Sequence, residues 1–167
     1  MTIKQGHINP YWNILDYTSL DYNRATIDQS FLTNYINSGH SKDQIQIYNF
    51  FENNGIPESA LKIKSYFSEL NPISVAVNCM RPGTYLPNHS DFYQRWMEIF
   101  KLTDVNKIHR IIIMLEDHKP GQFTEIEDTV INHWNAGDWF SWTGMASHAV
   151  YNFSLHDRYA LQITGYK

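Results

Sequence analysis

Helical spacing in the first half of the chain and short alternating strands in the second predict an α+β fold, with a β-sandwich or barrel as its second part. Three observations carry this. Between residues 28 and 70 apolar residues recur at helical intervals, and Gly or Pro signals close each run. From Ile73 onward β-branched and aromatic residues alternate in short runs separated by Pro-Gly, Gly-Asp and Asn signals. The chain has 167 residues, enough for one domain with a sizeable core and too few for two of ordinary size, so a single domain over 1–167 is expected.

Residues 1–27 are polar and aromatic with little periodicity and read as an irregular arm with room for a short strand. Residues 28–36 fit a short helix closed near Gly39. Ser41 is a good N-cap for a helix over 41–53, with Ile45, Ile47, Tyr48 and Phe51 as its stripe and Gly55 as its stop. A further helix opens near Pro57 and runs to Leu70, burying Ala60, Ile63, Tyr66, Phe67 and Leu70, until Asn71-Pro72 ends it. The stretch 28–70 thus forms a helical brace on one face of a β core over about 73–165. Within that core, 73–78 alternates, Arg81-Pro82-Gly83 turns, and 85–91 is extended. Residues 92–106 read as a helix or a long aromatic loop. The run 108–115 is nearly all apolar and predicts a central, buried strand. Strands over 123–127, 129–134, 139–142, 148–153 and 158–164 complete the set.

Composition removes several function classes. Hydrophobic residues make up 43% and aromatics 15%, which indicates a globular chain. The formal charge of −4 and the absence of a basic run argue against a nucleic-acid partner. Cys79 is the single cysteine, so neither a disulfide framework nor a Cys-rich zinc site is available. The first residues contain no apolar leader segment and no later run is long enough to span a bilayer, so a cytoplasmic protein without a membrane partner is expected.

The candidate chemistry lies in His89-Ser90-Asp91, a later His, and Arg158. His and Asp two residues apart on an extended strand point to one side. Two imidazoles and one carboxylate form a face of three ligands and leave coordination positions open, the donor set of non-haem Fe(II) oxygenases. The pair alone is common in a chain with 8 histidines, and each histidine taken singly is more often an ordinary hydrogen-bonding residue. Candidates for the third ligand are His109, His118, His133, His148 and His156; His148 is preferred because it opens an alternating strand. His133 and His156 read as surface residues, and His109 could support a ligand from behind. Arg158 begins a strand whose one face is Arg158, Ala160, Gln162 and Thr164. A charged and polar inner face suits a ligand cavity, where a guanidinium can grip a carboxylate with two hydrogen bonds. The plainer alternative pairs Arg158 with Asp157 or Asp138 at the surface.

With these residues the chain resembles the 2-oxoglutarate and Fe(II)-dependent oxygenases over about residues 75–164. The segment 81–91 is similar to the prolyl-hydroxylase-like lead-in, with Gly83 six residues before His89. Gly137-Asp138-Trp139-Phe140 resembles the Gly-Asp strand before the distal His, and the separation of His148 and Arg158 is the usual one. The resemblance implies a double-stranded β-helix, or jelly roll, with Fe(II) at His89, Asp91 and His148. It also implies 2-oxoglutarate as co-substrate salt-bridged to Arg158, and hydroxylation of a substrate C–H with release of succinate and CO₂. Ala160 stands where many members carry Ser or Thr, so Tyr85 or Asn78 is expected to supply the missing co-substrate contact. Asp91 disfavours the halogenase variant, which needs that ligand position vacant.

Arg95 and Arg110 suggest a substrate with an acidic group, a small molecule, amino acid or peptide, and Trp142 a wall of its site. Residues 92–100 are either a lid or wall over that site or a helix packed on the sheet. Two other readings stay open: a cupin-like metalloenzyme that does not use 2-oxoglutarate, and a non-catalytic jelly-roll module with an aromatic binding platform. Neither the substrate nor the oligomeric state is legible.

Overall fold

The structure is a computed structural model that describes residues 3–167; the first two residues of the expected arm lie outside it. In chain order the elements are β1 (Lys4–His7), α1 (Leu15–Thr18), β2 (Asn23–Arg24), α2 (Gln29–Asn37), β3 (Tyr48–Phe51), α3 (Glu58–Leu61), β4 (Ile73–Met80), β5 (Thr84–His89), α4 (Gln94–Phe100), β6 (Ile108–Met114), β7 (Gln122–Ile126), β8 (Thr129–Ile131), β9 (Asp138–Thr143), β10 (His148–Asn152) and β11 (Arg158–Tyr166). A 3-10 turn, Lys62–Phe67, extends α3. The strands form two sheets whose ladders are antiparallel. The major sheet runs β1-β9-β6-β11-β4-β3-β2 and the minor sheet β5-β10-β7-β8. Their facing sides enclose a cavity.

Alternation on the central strands divides the major sheet into two environments. Val75, Val77, Cys79, Ile111, Ile113, Leu161 and Ile163 face outward and pack beneath Ile56, Ala60, Ile63, Phe67 and Leu70. Of the brace expected over about 28–70, only the last part, from Ile56 to Leu70, covers this face; within it Tyr66 is the exception, being exposed and stacked on Tyr11 at 5.9 Å between centroids. The other face turns Asn78, Met80, Arg110, Ile112, Arg158, Ala160 and Gln162 into the cavity.

Asp28 caps α2 by accepting from the backbone N–H groups of Ser30 and Phe31 at 2.9 and 3.1 Å. That helix does not join the brace. Leu32 packs instead with Ile45, Tyr85 and Tyr151 on the outer side of the minor sheet.

The helix expected over 41–53 is absent. Ile45 bridges Tyr85 and β3 pairs with β4, placing Asn49 opposite Asn78. The aromatic and β-branched residues 45–51 satisfy a strand period as well as a helical one, and the free edge of β4 decides between them. Gly137, at φ 91°, turns the chain into β9; a Cβ there would lie 2.0 Å from the carbonyl oxygen of Ile8.

Candidate metal centre

His89 ends β5 and His148 begins β10, and the two are direct register partners. Their rings lie 4.3 Å apart between centroids. Asp91 follows β5 and completes the group. One ligand atom from each of His89, Asp91 and His148 lies within 4.8 Å of the others, an arrangement that could hold a metal ion. Each imidazole is aimed from behind. His89 Nδ1 bonds the Pro87 carbonyl at 2.9 Å, and His148 Nδ1 bonds the Ala146 carbonyl at 3.0 Å. A carbonyl only accepts, so both Nδ1 atoms carry the proton and both Nε2 lone pairs are free. The Nε2 atoms lie 3.9 Å from Oδ1 and Oδ2 of Asp91, respectively.

The electrostatics keep Asp91 and His148 deprotonated. Burial pushes His148 down to about 4, assisted by neighbouring His89. Burial alone would raise the Asp91 carboxyl; the Arg110 guanidinium, with His148 and His89, outweighs it and holds the group at about 2. Arg110 donates from Nη2 to Asp91 Oδ2 at 2.5 Å and from Nη1 to Thr164 Oγ1 at 2.7 Å.

Arg158 lies in the same cavity, which has a volume of about 190 Å³. It is 5% exposed. Nη1 donates to the carbonyls of Phe123 and Tyr151 at 3.0 and 3.2 Å, Nη2 to Thr124 Oγ1 at 2.6 Å, and the guanidinium lies 4.8 Å from the Trp134 ring centroid. Among the described residues no carboxylate pairs with it. The surface alternative fails because Asp157 is paired with Arg81 and Asp138 with His7. Burial lowers Arg158 to about 9, so it remains charged at neutral pH. A buried cation without an anion costs several kcal/mol, on the order expected for an ion removed from water.

The remaining candidates divide. Asn78 lines the cavity, donates from Nδ2 to Gln162 at 3.0 Å, and leaves a buried Oδ1 unpartnered. Trp142 also lines it, with its ring 4.8 Å from His148 and a buried, unpartnered Nε1.

Tyr85 does not reach the cavity. Two residues of β10, His148 to Val150, span three of β5, His89 to Leu86. This bulge puts Leu86 and His89 on the same inner face and sends Tyr85 outward, where its hydroxyl meets His40 Nδ1 at 2.6 Å. Arg95 is exposed on α4 and is not part of the cavity lining. Arg110 lines the cavity but is engaged by Asp91 and Thr164 and is not a free substrate anchor. His109 points to the opposite side of β6 from Arg110, so it does not support the centre.

Thr124, Thr164 and Trp134 hold the two arginines and were not among the expected site residues. Thr124 and Thr164 are polar residues at inward positions of apolar strands. That signal marks a cavity but does not name the partner across it.

No family model matches the chain, and no curated protein matches it. Solved structures do. A Pseudomonas putida prolyl-4-hydroxylase superposes with a TM-score of 0.58 at 10% identity, over 87% of this chain and 92% of that one. A Trichoplax adhaerens prolyl hydroxylase, solved with a hypoxia inducible factor oxygen degradation domain peptide fragment, gives 0.55 at 13%, over 82% and 75%. The cupin domain of Schizosaccharomyces pombe Cnp3 overlaps more loosely, at 0.44 and 9%, over 77% and 69%. The fold is a double-stranded β-helix. It resembles that of the two prolyl hydroxylases, and His89, Asp91 and His148 line the cavity between the two sheets. Among the described residues no helix is long and apolar enough to cross a membrane.

Proposed function

We propose that this chain is an Fe(II)- and 2-oxoglutarate-dependent dioxygenase that hydroxylates a small-molecule, amino-acid or peptide substrate. One observation carries the reading: a buried, carboxylate-free Arg158 shares a cavity with a two-histidine, one-carboxylate face. The triad explains a metal, and the unpaired guanidinium explains an anionic ligand beside it. Either feature alone fits a cupin-like metalloenzyme or a binding module; both together fit an oxoacid chelated at one end and salt-bridged at the other.

The donor set suits Fe(II). His89 and His148 would hold it through Nε2 and Asp91 through a carboxylate oxygen. When bound, Fe(II) with 2-oxoglutarate and O₂ supplies the oxidising chemistry that turns a C–H into a C–OH and yields succinate and CO₂. The protein's own part is placement. Pro87 and Ala146 fix the two imidazoles. Arg158, braced by Thr124 and Trp134, would receive the distal carboxylate, and Asn78, which lines the same cavity, would contact the co-substrate. Phe140, Ile112 and Trp142 give the cavity apolar walls that exclude water. Ligand pockets for drug-sized molecules run to roughly 300–1,000 Å³. A cavity of about 190 Å³ suits a small diacid and leaves the substrate to reach in from the mouth.

Anaerobic titration with Fe(II) and then 2-oxoglutarate tests this. The wild type is expected to develop a weak visible charge-transfer band. His148→Ala should lose it, and Arg158→Ala should need more 2-oxoglutarate to reach it. Tight Fe(II) binding with no band would sink the 2-oxoglutarate assignment and favour the other metalloenzyme class. No Fe(II) binding would leave a binding module.

A further inference from the structure

We infer that Arg110 is a positioning residue for Asp91: its bond to Oδ2 fixes the carboxylate where Oδ1 lies 3.9 Å from His89 Nε2 and Oδ2 lies 3.9 Å from His148 Nε2. The inference rests on the metal reading above and deepens it. Asp91 lies beyond the end of β5, where no ladder fixes its backbone. Its carboxylate therefore needs an external hold.

Arg110 supplies one from the most constrained part of the fold. It sits within β6, paired on one side to β9 and on the other to β11. Its side chain is gripped three ways. Nη2 bonds Asp91 Oδ2 at 2.5 Å, Nη1 bonds Thr164 Oγ1 at 2.7 Å, and the guanidinium lies 5.0 Å from the Tyr93 ring centroid. Tyr93 adopts the left-handed backbone conformation, with φ 54°, two residues after Asp91. A tyrosine there is strained, and the turn brings its ring against the arginine. The planar fork of Arg can bond Asp91 and Thr164 together; the ammonium of Lys cannot reproduce that geometry.

A guanidinium beside a metal position acts in two opposed ways. Its charge repels the cation and weakens binding. Its hydrogen bond orients the ligand and strengthens binding. In Arg110 the second effect dominates, because the bond it makes is the one that the Asp91 side chain receives among the described residues.

Co(II) titration of the wild type, Arg110→Met, Arg110→Lys and Thr164→Val, followed by affinity and visible absorption, separates the two. Thermal unfolding establishes that each variant is folded. Arg110→Met is expected to bind Co(II) about 10–100-fold more weakly with an altered absorption spectrum, and Arg110→Lys to recover part of the loss. Thr164→Val should weaken binding a few-fold by loosening the fork. A folded Arg110→Met that binds as tightly as wild type or tighter, with the wild-type spectrum, overturns the inference and leaves the metal reading standing. Should Arg110→Met fail to fold, Thr164→Val decides: wild-type affinity and spectrum there overturn it equally. A wild-type chain that binds no Co(II) overturns the metal reading and this inference with it.

Discussion

The two faces of the major sheet are made by the same strands and obey opposite rules. On β11 the outward residues Tyr159, Leu161 and Ile163 enter the apolar layer, while the inward residues Arg158, Ala160 and Gln162 line the cavity. On β6 the division is Ile111 and Ile113 against Arg110 and Ile112. The outward face removes apolar area from water against the brace. The inward face buries two guanidinium groups, one compensated by Asp91 and one compensated by no carboxylate. A sheet that needed only stability would fill both faces alike. One side is a continuous apolar layer; the other sets apolar residues such as Phe140, Trp142 and Ala160 beside two buried guanidinium groups.

Substitutions on the two faces of β11 should therefore separate stability from binding. Leu161→Ala removes a fully buried outward side chain and is expected to cost about 2–5 kcal/mol in urea unfolding, with oxoacid affinity unchanged in the folded fraction. Arg158→Met is expected to hold or raise the stability of the apo-protein within about 1 kcal/mol, because an unpaired buried charge is replaced by apolar volume. Its 2-oxoglutarate affinity should fall about 10–100-fold, the value of a charged hydrogen-bonded contact of about 1.5–3 kcal/mol. A large stability loss in Arg158→Met with normal oxoacid affinity would reverse the assignment of that face.

Raising pH sharpens the same contrast. On the outward side burial raises Cys79 to about 11 and raises Tyr17, Tyr22 and Tyr159 above the usual tyrosine range. The unfolded chain loses these protons first, so their contribution is intact below about pH 9 and is lost as pH climbs beyond it. Arg158 has the opposite sign. Burial lowers it from 12.5 to about 9, so the unfolded chain holds that proton longer and stability rises across the interval. The outward groups outnumber it. Wild type should lose unfolding free energy between pH 8 and 10.5, and Arg158→Met should lose more. Equal slopes would mean that Arg158 does not titrate differently in the folded state.

Chelation is the next smaller perturbation. The apolar layer does not include the triad, so the metal-free chain should stay folded, and Fe(II) should add only the linkage term, about 2.7 kcal/mol at a hundredfold excess over Kd. Loss of cooperative unfolding on chelation would show that the centre also holds the fold.

Periodicity made the β core legible because each strand has one apolar face of its own. The alternation of 158–164 exposed Arg158, and the His-x-Asp spacing marked His89 and Asp91. Long-range geometry was not legible. Residues 45–51 fit two periods, and the edge of β4, a partner distant in sequence, selected the strand. The hold of Arg110 on Asp91 depends on a helix-bearing crossover between β5 and β6 that no local pattern fixes. Thr124 and Arg158 meet only because two sheets face each other.

The bulge in β5 is the subtlest of these, and Tyr85 tests it with the smallest expected effect. Counting back four residues from His89 along a regular strand puts Tyr85 on the ligand side. The extra residue between Leu86 and His89 reverses that parity, so Leu86 takes the inward place and Tyr85 stacks with Tyr151 on the outer face. Its hydroxyl then serves His40 and not a co-substrate. Tyr85→Phe should cost about 0.5–1.5 kcal/mol of stability, the net value of one hydrogen bond, and leave 2-oxoglutarate affinity unchanged. Leu86→Ala, one residue on, should alter oxoacid or substrate affinity because that side chain lines the cavity. Should Tyr85→Phe weaken the oxoacid while Leu86→Ala does not, the strand would carry the regular register in solution, and the inner wall would have to be redrawn with Tyr85 in it.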